Sequence, residues 1–512
     1  MTARGFTRIA LAGLIALAIS GFVAVKFWPE PTVIAGKTEC WFAYSSYQEV
    51  SCHYVAVPAF RDGSSGNELL LPVAVIGSLS RDASATPVVI INGGPGQSAF
   101  GSTYPESGDA MAYWFNLLGP ILQQRDVILY DQRGVGLAEP SLNCPESERF
   151  AEAASQPFGK NTDDGQRELD ALVDCALRLQ SDGIDFAMLS TPASADDLSD
   201  VLKKLGYVQA DLWAFSYGTR LALEMMRSHP EKIRSVLLDG VDPRHVNTAE
   251  ALPRVTAMAF QRLFDDCAAS RLCDDRYPNL GSRFVGMVER LNRHPEFVAL
   301  DDSERWDSSA VARLDGNSVV LGIYDLLYDS RSIPSIPESI DRALGGDLEA
   351  LTPLLRYTYL ADFGMAEGVY LPIWCRERLP FLRLDVLESE IETYGIYGTI
   401  WTDLDDNSIC EIWDLLPADE LELVPVESDI PTLLVSGYYD PVTPPEFAHA
   451  TAQFLSDSRH LVFRGGGHAV TGSGGCATDL AMHFFENPVP SELVLPDCAR
   501  YRHPPQFEFG NQ

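Results

Sequence analysis

Short apolar runs separated by amphipathic stretches fill the first half of this chain and return near its end. His53 to Val57, Leu69 to Ile76, Val88 to Ile91, Asp126 to Tyr130, Leu212 to Phe215, Arg234 to Asp239, Pro431 to Gly437 and His460 to Arg464 read as strands. They are short and apolar, and turn formers such as Asp62-Gly-Ser-Ser-Gly-Asn67 bound them. Between them the apolar spacing lengthens to the helical period. Residues 150 to 185 read as a polar helical region. Thr191-Pro-Ala-Ser-Ala-Asp-Asp197 opens a helix with acids in its first turn and Lys203-Lys204 before Gly206, charges that the helix dipole favours at those ends. Leu221, Leu223, Met225 and Met226 mark a helix ending near His229-Pro230, and another runs from Pro445 to about Leu455. The strands are apolar throughout rather than alternating, as strands covered on both sides are. The pattern predicts an α/β fold, a mostly parallel sheet with helices on both faces.

The alternation stops at Val241-Asp-Pro243. From there to about 420 the chain carries long helical patterns, such as Val255 to Phe264 and Val319 to Leu327, broken by Pro- and Asp-rich loops, and strands resume only at Ile430. A large helical cap inserted between the sixth and seventh sheet strands is therefore expected, lying above the carboxyl edge of the sheet and roofing a pocket there. The expected division is a leader with linker at 1–36, a first core part at 37–245, the cap at 246–420 and a second core part at 421–512.

Ser216 stands where the run Leu212 to Phe215 turns into the helix carrying Leu221, between the small residues Ala214 and Gly218. A serine on a sharp strand-to-helix turn has its hydroxyl exposed and can serve as a nucleophile. It then needs a base to take its proton and a carboxylate to orient that base. In Tyr438-Tyr-Asp440-Pro-Val-Thr-Pro-Pro445, a turn-rich loop after the seventh strand, Asp440 is the expected carboxylate; in Gly465-Gly-Gly-His468, after the eighth, His468 is the expected base, near its unperturbed pKa of about 6.5. Val88-Val-Ile-Ile-Asn92-Gly-Gly-Pro-Gly96 is a strand entering a glycine-rich loop. Its Gly94 N–H, with the N–H of Tyr217, is the expected oxyanion hole. Asp131 and Arg133, in Asp131-Gln-Arg-Gly-Val-Gly136, are expected to pair and brace the loops nearby.

Composition narrows the setting. Arg4 and Arg8 precede an uncharged apolar run from Ile9 to Val25, expected to be a secretory signal, with Ala18-Ile-Ser20 as a cleavage candidate, or an uncleaved membrane anchor. Either reading implies export. The ten cysteines fall into sequential neighbours with no zinc-like cluster, and five local bridges are expected, 40–52, 144–175, 267–273, 375–410 and 476–498. With 72 acidic against 38 basic residues the net charge is −34, which repels phosphate backbones and excludes nucleic acid as a partner. The same field attracts cationic groups such as free amino termini. No metal or organic cofactor is implied.

The motifs Asn92-Gly-Gly-Pro-Gly96, Asp131-Gln-Arg-Gly-Val-Gly136, Ser216-Tyr-Gly-Thr219, Gly437-Tyr-Tyr-Asp440-Pro-Val-Thr-Pro444, and Gly467-His468 followed by Cys476 resemble those of exported tripeptidyl aminopeptidases and the related proline iminopeptidases, of the α/β-hydrolase fold. The resemblance runs from about Cys40 to Phe507. It implies Ser216 as nucleophile, Asp440 and His468 as its partners, and Gly94 with Tyr217 as oxyanion donors. Two positions depart from the family: Asn92 stands where iminopeptidases usually have His, and Ala214 where the elbow usually has Gly. Trp374-Cys-Arg-Glu377 looks like the family's Cys-x-acid segment, which implies Glu377 as a carboxylate for a substrate's amino group. The expected function is an exported serine aminopeptidase acting on peptide N-termini. The alternatives are a carboxylesterase with the same triad or, from another class, a non-catalytic exported binding protein that keeps the fold.

Overall fold

The computed structural model describes residues 37–44, 49–80, 84–101, 108–147, 164–299, 311–352, 365–405, 408–495 and 497–509. The apolar run at 9–25 lies outside them; among the described residues no helix is long and apolar enough to cross a membrane.

Eleven strands are present among these residues: β1 (Lys37–Thr38), β2 (Val50–Pro58), β3 (Glu68–Ile76), β4 (Ser84–Ile91), β5 (Arg125–Tyr130), β6 (Ala210–Phe215), β7 (Ile233–Asp239), β8 (Glu296–Ala299), β9 (Val311–Leu314), β10 (Thr432–Gly437) and β11 (Ser458–Phe463). All but β8 and β9 form one sheet in the order β1-β2-β3-β5-β4-β6-β7-β10-β11. The edge from β1 to the β3–β5 pair is antiparallel, and every pair from β5 to β11 is parallel. Chain order reverses between β4 and β6. Loops leaving the carboxyl ends of two such strands diverge and open a crevice between them. The predicted α/β-hydrolase architecture is the one observed, with the insertion falling between β7 and β10, the sixth and seventh strands once the two-residue β1 is set aside.

Why the strands are apolar throughout is clear along β6. Leu212 and Ala214 pack with Leu198, Val201, Leu221 and Met225 on one face. Trp213 and Phe215 pack with Trp114, Leu480 and Phe484 on the other. The two-residue alternation of a strand thus feeds two separate cores. The helix Thr191–Leu205 is set by its ends: Ser190 Oγ accepts the Ala193 N–H (3.2 Å), and Gly206 terminates it at φ 84°. The acids expected in its first turn lie one turn later. Asp197 is instead drawn inward to Arg133.

That contact corrects the expected Asp131–Arg133 pair. Arg133 is buried and bonds Asp197 through Nε (2.8 Å) and Nη2 (2.7 Å). Asp131 instead accepts the Ala99 N–H (2.6 Å), the Leu137 N–H (3.0 Å) and the Ser98 hydroxyl (3.0 Å), so it braces the loop after β4. Neighbouring positions on a turn point apart, and each found a partner elsewhere.

Between β7 and β10 lie the helices Thr248–Ala269, Leu280–Arg293, Gly316–Tyr328, Ile336–Leu344, Glu367–Glu377 and Leu384–Tyr394, with the β8–β9 hairpin, which the sequence reading missed. Phe260, Leu263, Phe284, Val288, Ile323 and Leu327 give this region a hydrophobic cluster of its own. All five expected cysteine pairs are joined: Cys40–Cys52, Cys144–Cys175, Cys267–Cys273, Cys375–Cys410 and Cys476–Cys498.

Candidate active site

Ser216 ends β6 and precedes the helix Tyr217–Ser228 with φ 54° and ψ −127°, a backbone conformation that a non-glycine residue adopts at a cost of about 1–3 kcal/mol. The surroundings enforce it. The Ser216 N–H donates to the Asp239 carbonyl at the end of β7 (3.0 Å), and its carbonyl accepts the Thr219 N–H (2.8 Å) and the Thr219 hydroxyl (2.6 Å). Gly218 lies so close to β4 that a Cβ there would stand 2.3 Å from the Ile91 carbonyl oxygen, so glycine is required at that position. Ala214 is different. It is fully buried within β6, paired with Ile91 and Leu238, so the elbow carries a methyl group where glycine is usual.

Asp440 and His468 come together over the carboxyl ends of β10 and β11. His468 Nδ1 lies 2.8 Å from Asp440 Oδ2, with the Asp440 side chain fully buried and that of His468 10% exposed. Asp440 Oδ1 accepts the N–H groups of Val442 (3.0 Å) and Thr443 (2.8 Å), and the Thr443 hydroxyl donates to Oδ2 (2.7 Å). Burial would push the Asp440 carboxyl up, but the adjacent His468 charge and these bonds outweigh it and hold the carboxyl below its ordinary range. Burial likewise opposes the His468 imidazolium; the Asp440 charge and hydrogen bond, with the Asp239 charge, prevail and raise its pKa above 6.5. The expected unperturbed base is corrected upward for that reason.

The cap region touches this histidine. The His468 N–H donates to the Tyr328 carbonyl (2.9 Å), the Gly467 N–H donates to Ser330 Oγ (2.9 Å), and the Tyr328 ring meets the imidazole edge-on at 4.9 Å. Gly240, the residue after Asp239, faces the imidazole: a Cβ there would meet Cε1 at 3.0 Å. The same strand end therefore holds the Ser216 N–H and underlies the His468 ring.

The glycine-rich loop after β4 lies directly over the serine. A Cβ on Gly93 would meet Ser216 Cβ at 2.8 Å and the Phe215 carbonyl oxygen at 3.0 Å, so only glycine allows this approach. Gly94 follows at φ 104°, and Tyr217 opens the elbow helix, where N–H groups have no acceptor within the helix. The Gly96 carbonyl accepts the Ala366 N–H (2.9 Å), and Gln97 bridges Met365, so the cap region grips this loop as well.

Glu377 does not take the place expected for it. Its side chain is 1% exposed, with Oε1 accepting the Thr191 N–H (2.7 Å), Oε2 accepting the Thr191 hydroxyl (2.6 Å), and Arg220 Nε 3.3 Å from Oε2. A carboxylate occupied from inside the fold has no face left for a substrate amine, which corrects that expectation. It is instead a positioning residue: Thr191 Oγ1 also bonds the Tyr217 hydroxyl (2.8 Å), tying the cap helix to the residue after Ser216. Arg220 and Arg244 extend the buried network to Glu422, and Arg378 to Asp242. Sequence reasoning missed Thr443, Tyr328 and Asp239. Thr443, three residues after the acid, and Asp239, an acid ending an apolar strand, left a signal; Tyr328 left none.

A strained serine at a strand-to-helix turn and a buried acid–histidine pair on the same sheet edge are the equipment of a serine hydrolase of the α/β fold. The family model described as the alpha/beta hydrolase fold matches residues 86–472, and the chain belongs to that family. It is similar to serine protease Hip1 of Mycobacterium tuberculosis, 24% identical over 452 residues that cover 84% of this chain and 83% of that protein. It is also similar to the tripeptidyl aminopeptidase of Streptomyces lividans, 23% identical over 451 residues, covering 85% and 81%. Over a shorter stretch it is similar to carboxylesterase B of Mycobacterium tuberculosis, 27% identical over 241 residues, covering 45% and 44%.

Proposed function

We propose that this protein is an exported aminopeptidase that releases residues or short peptides from free peptide N-termini through an acyl-enzyme. The observation that carries the reading is the His468–Asp440 pair, at 2.8 Å and locked by Thr443, on the sheet edge that bears the Ser216 elbow. Ser216 Oγ attacks the scissile carbonyl as His468 Nε2 takes its proton. Asp440 keeps the imidazole in the tautomer with Nδ1–H and stabilises the imidazolium. The N–H groups of Gly94 and Tyr217 receive the oxyanion. The proton passes to the leaving amine, and water, activated by the same histidine, releases the acyl group. The region 246–420 roofs the pocket and sets what fits.

The peptide substrate is supported by similarity along most of the chain to proteins named tripeptidyl aminopeptidase and serine protease, where the likeness to a carboxylesterase covers less than half. Export is supported by the five disulfides, which need an oxidising compartment. Ser216→Ala is expected to abolish covalent labelling by a fluorophosphonate; full labelling of the variant refutes the nucleophile. A tripeptidyl anilide with a free amine is expected to be cleaved far faster than its N-acetylated form, and equal rates favour the esterase.

A further inference from the structure

Asp239 is the residue shared by both arms of the site. It ends β7, opposite Phe215 on β6 and Val435 on β10, and is fully buried. Its backbone carbonyl accepts the Ser216 N–H (3.0 Å). Its carboxylate reaches the other way, into the loop that carries the base: Oδ1 accepts the Val470 N–H (3.1 Å), and Oδ2 accepts the Thr471 N–H (2.6 Å) and the Thr471 hydroxyl. That hydroxyl is itself fixed, accepting the Trp213 indole N–H (2.9 Å) from β6, and the Thr471 carbonyl accepts the Thr478 hydroxyl (2.6 Å). One residue thus fastens the nucleophile through its main chain and the segment two and three residues past the base through its side chain.

We infer that Asp239 is a second acidic positioning residue of the catalytic site, setting the height of the His468 loop above Ser216 and adding a buried negative charge behind the imidazole that the triad acid does not supply. The inference rests on the triad reading above. Burial pushes the Asp239 carboxyl up to about 6 against the three donors and the His468 charge that favour its anion, so it is ionised at neutral pH, and those donors fix where its charge acts on the histidine. The titratable groups facing His468 are Asp440 from the loop after β10, Asp239 from β7 and Tyr328 from the cap helix; Tyr113, bonded to the Gly472 carbonyl at 2.8 Å, lies near Asp239. Of these only the two aspartates bear charge at neutral pH, and both favour the imidazolium.

The test uses the full-length protein and a p-nitrophenyl ester, so peptide specificity does not enter. Asp239→Asn keeps the size of the side chain and the Ser216 N–H bond, removes the charge, and turns a donor toward the N–H groups of the base loop. Expected are a kcat about 10²-fold lower at nearly unchanged KM, the loss that a small misplacement of a reacting group brings, and an acid limb of kcat/KM displaced to lower pH, because the imidazolium has lost one of two anionic neighbours. An unmoved limb overturns the inference whatever happens to kcat, since mere support of the fold does not set the histidine's pKa. Thr471→Val keeps the charge and removes one donor, and is expected to lower kcat about tenfold, the worth of one hydrogen bond, with the limb unmoved. It carries the test if Asp239→Asn does not fold, and an unchanged kcat then overturns the inference. Failure of the triad reading shows separately, as fluorophosphonate labelling that survives Ser216→Ala.

Discussion

Replacing Asp440 with asparagine turns the site's geometry against itself. The N–H groups of Val442 and Thr443 both donate to Oδ1, at 3.0 and 2.8 Å. In Asp440→Asn these two donors fix the amide oxygen in that place, so the NH₂ group is left facing Thr443 Oγ1 and His468 Nδ1, which stand 2.7 and 2.8 Å from Oδ2. An NH₂ can only donate there. Nδ1 must become an acceptor, the ring proton moves to Nε2, and the nitrogen that should take the Ser216 proton is already occupied. The fold has no reason to change, since the substitution is isosteric. The expected result is a kcat about 10⁴-fold lower, near 5 kcal/mol of lost transition-state stabilisation, with an unchanged melting temperature. Steady-state hydrolysis of a p-nitrophenyl ester and the rate of fluorophosphonate labelling should fall together. A fall below tenfold with the fold intact refutes the assignment of Asp440 as the group that sets the tautomer.

Three further outcomes follow from the same geometry. Two anionic neighbours favour the imidazolium of His468, so the neutral base appears only above the ordinary histidine pKa, and the acid limb of kcat/KM, measured from pH 5 to 9, should have its midpoint above 6.5; a midpoint at or below it contradicts the buried pair. Gly93→Ala puts a methyl group 2.8 Å from Ser216 Cβ and should lower kcat by about 10²-fold while costing about 1–3 kcal/mol of stability, read by denaturant titration; full activity would mean that the loop does not lie over the serine. Glu377→Leu deprives buried Arg220 of its nearest carboxylate and should cost about 3–5 kcal/mol of stability, whereas an amine anchor, once removed, would raise KM for free-amine substrates and leave the denaturation midpoint in place.

The chain's own order of residues determined a good deal. Eight sheet strands, the insertion after the sixth and the five cysteine pairs were legible, and 216, 440 and 468 stood out as a candidate set, because each leaves a local mark: an apolar run, a small residue beside a serine, an acid in a turn, a histidine among glycines. Even the insertion showed itself as a loss of alternation at Val241-Asp-Pro243. What local marks do not carry is which side chains meet across long separations. Arg133 chose Asp197 over Asp131, two positions away, and Glu377 was taken inward by Thr191 and Arg220. The shift of His468 and the bracket formed by Asp239 exist only once β7, β10 and the base loop are stacked, because burial and the distance between charges are properties of the assembled sheet. Periodicity and spacing belong to the sequence, whereas partner choice and the electrostatics that follow from it belong to the fold.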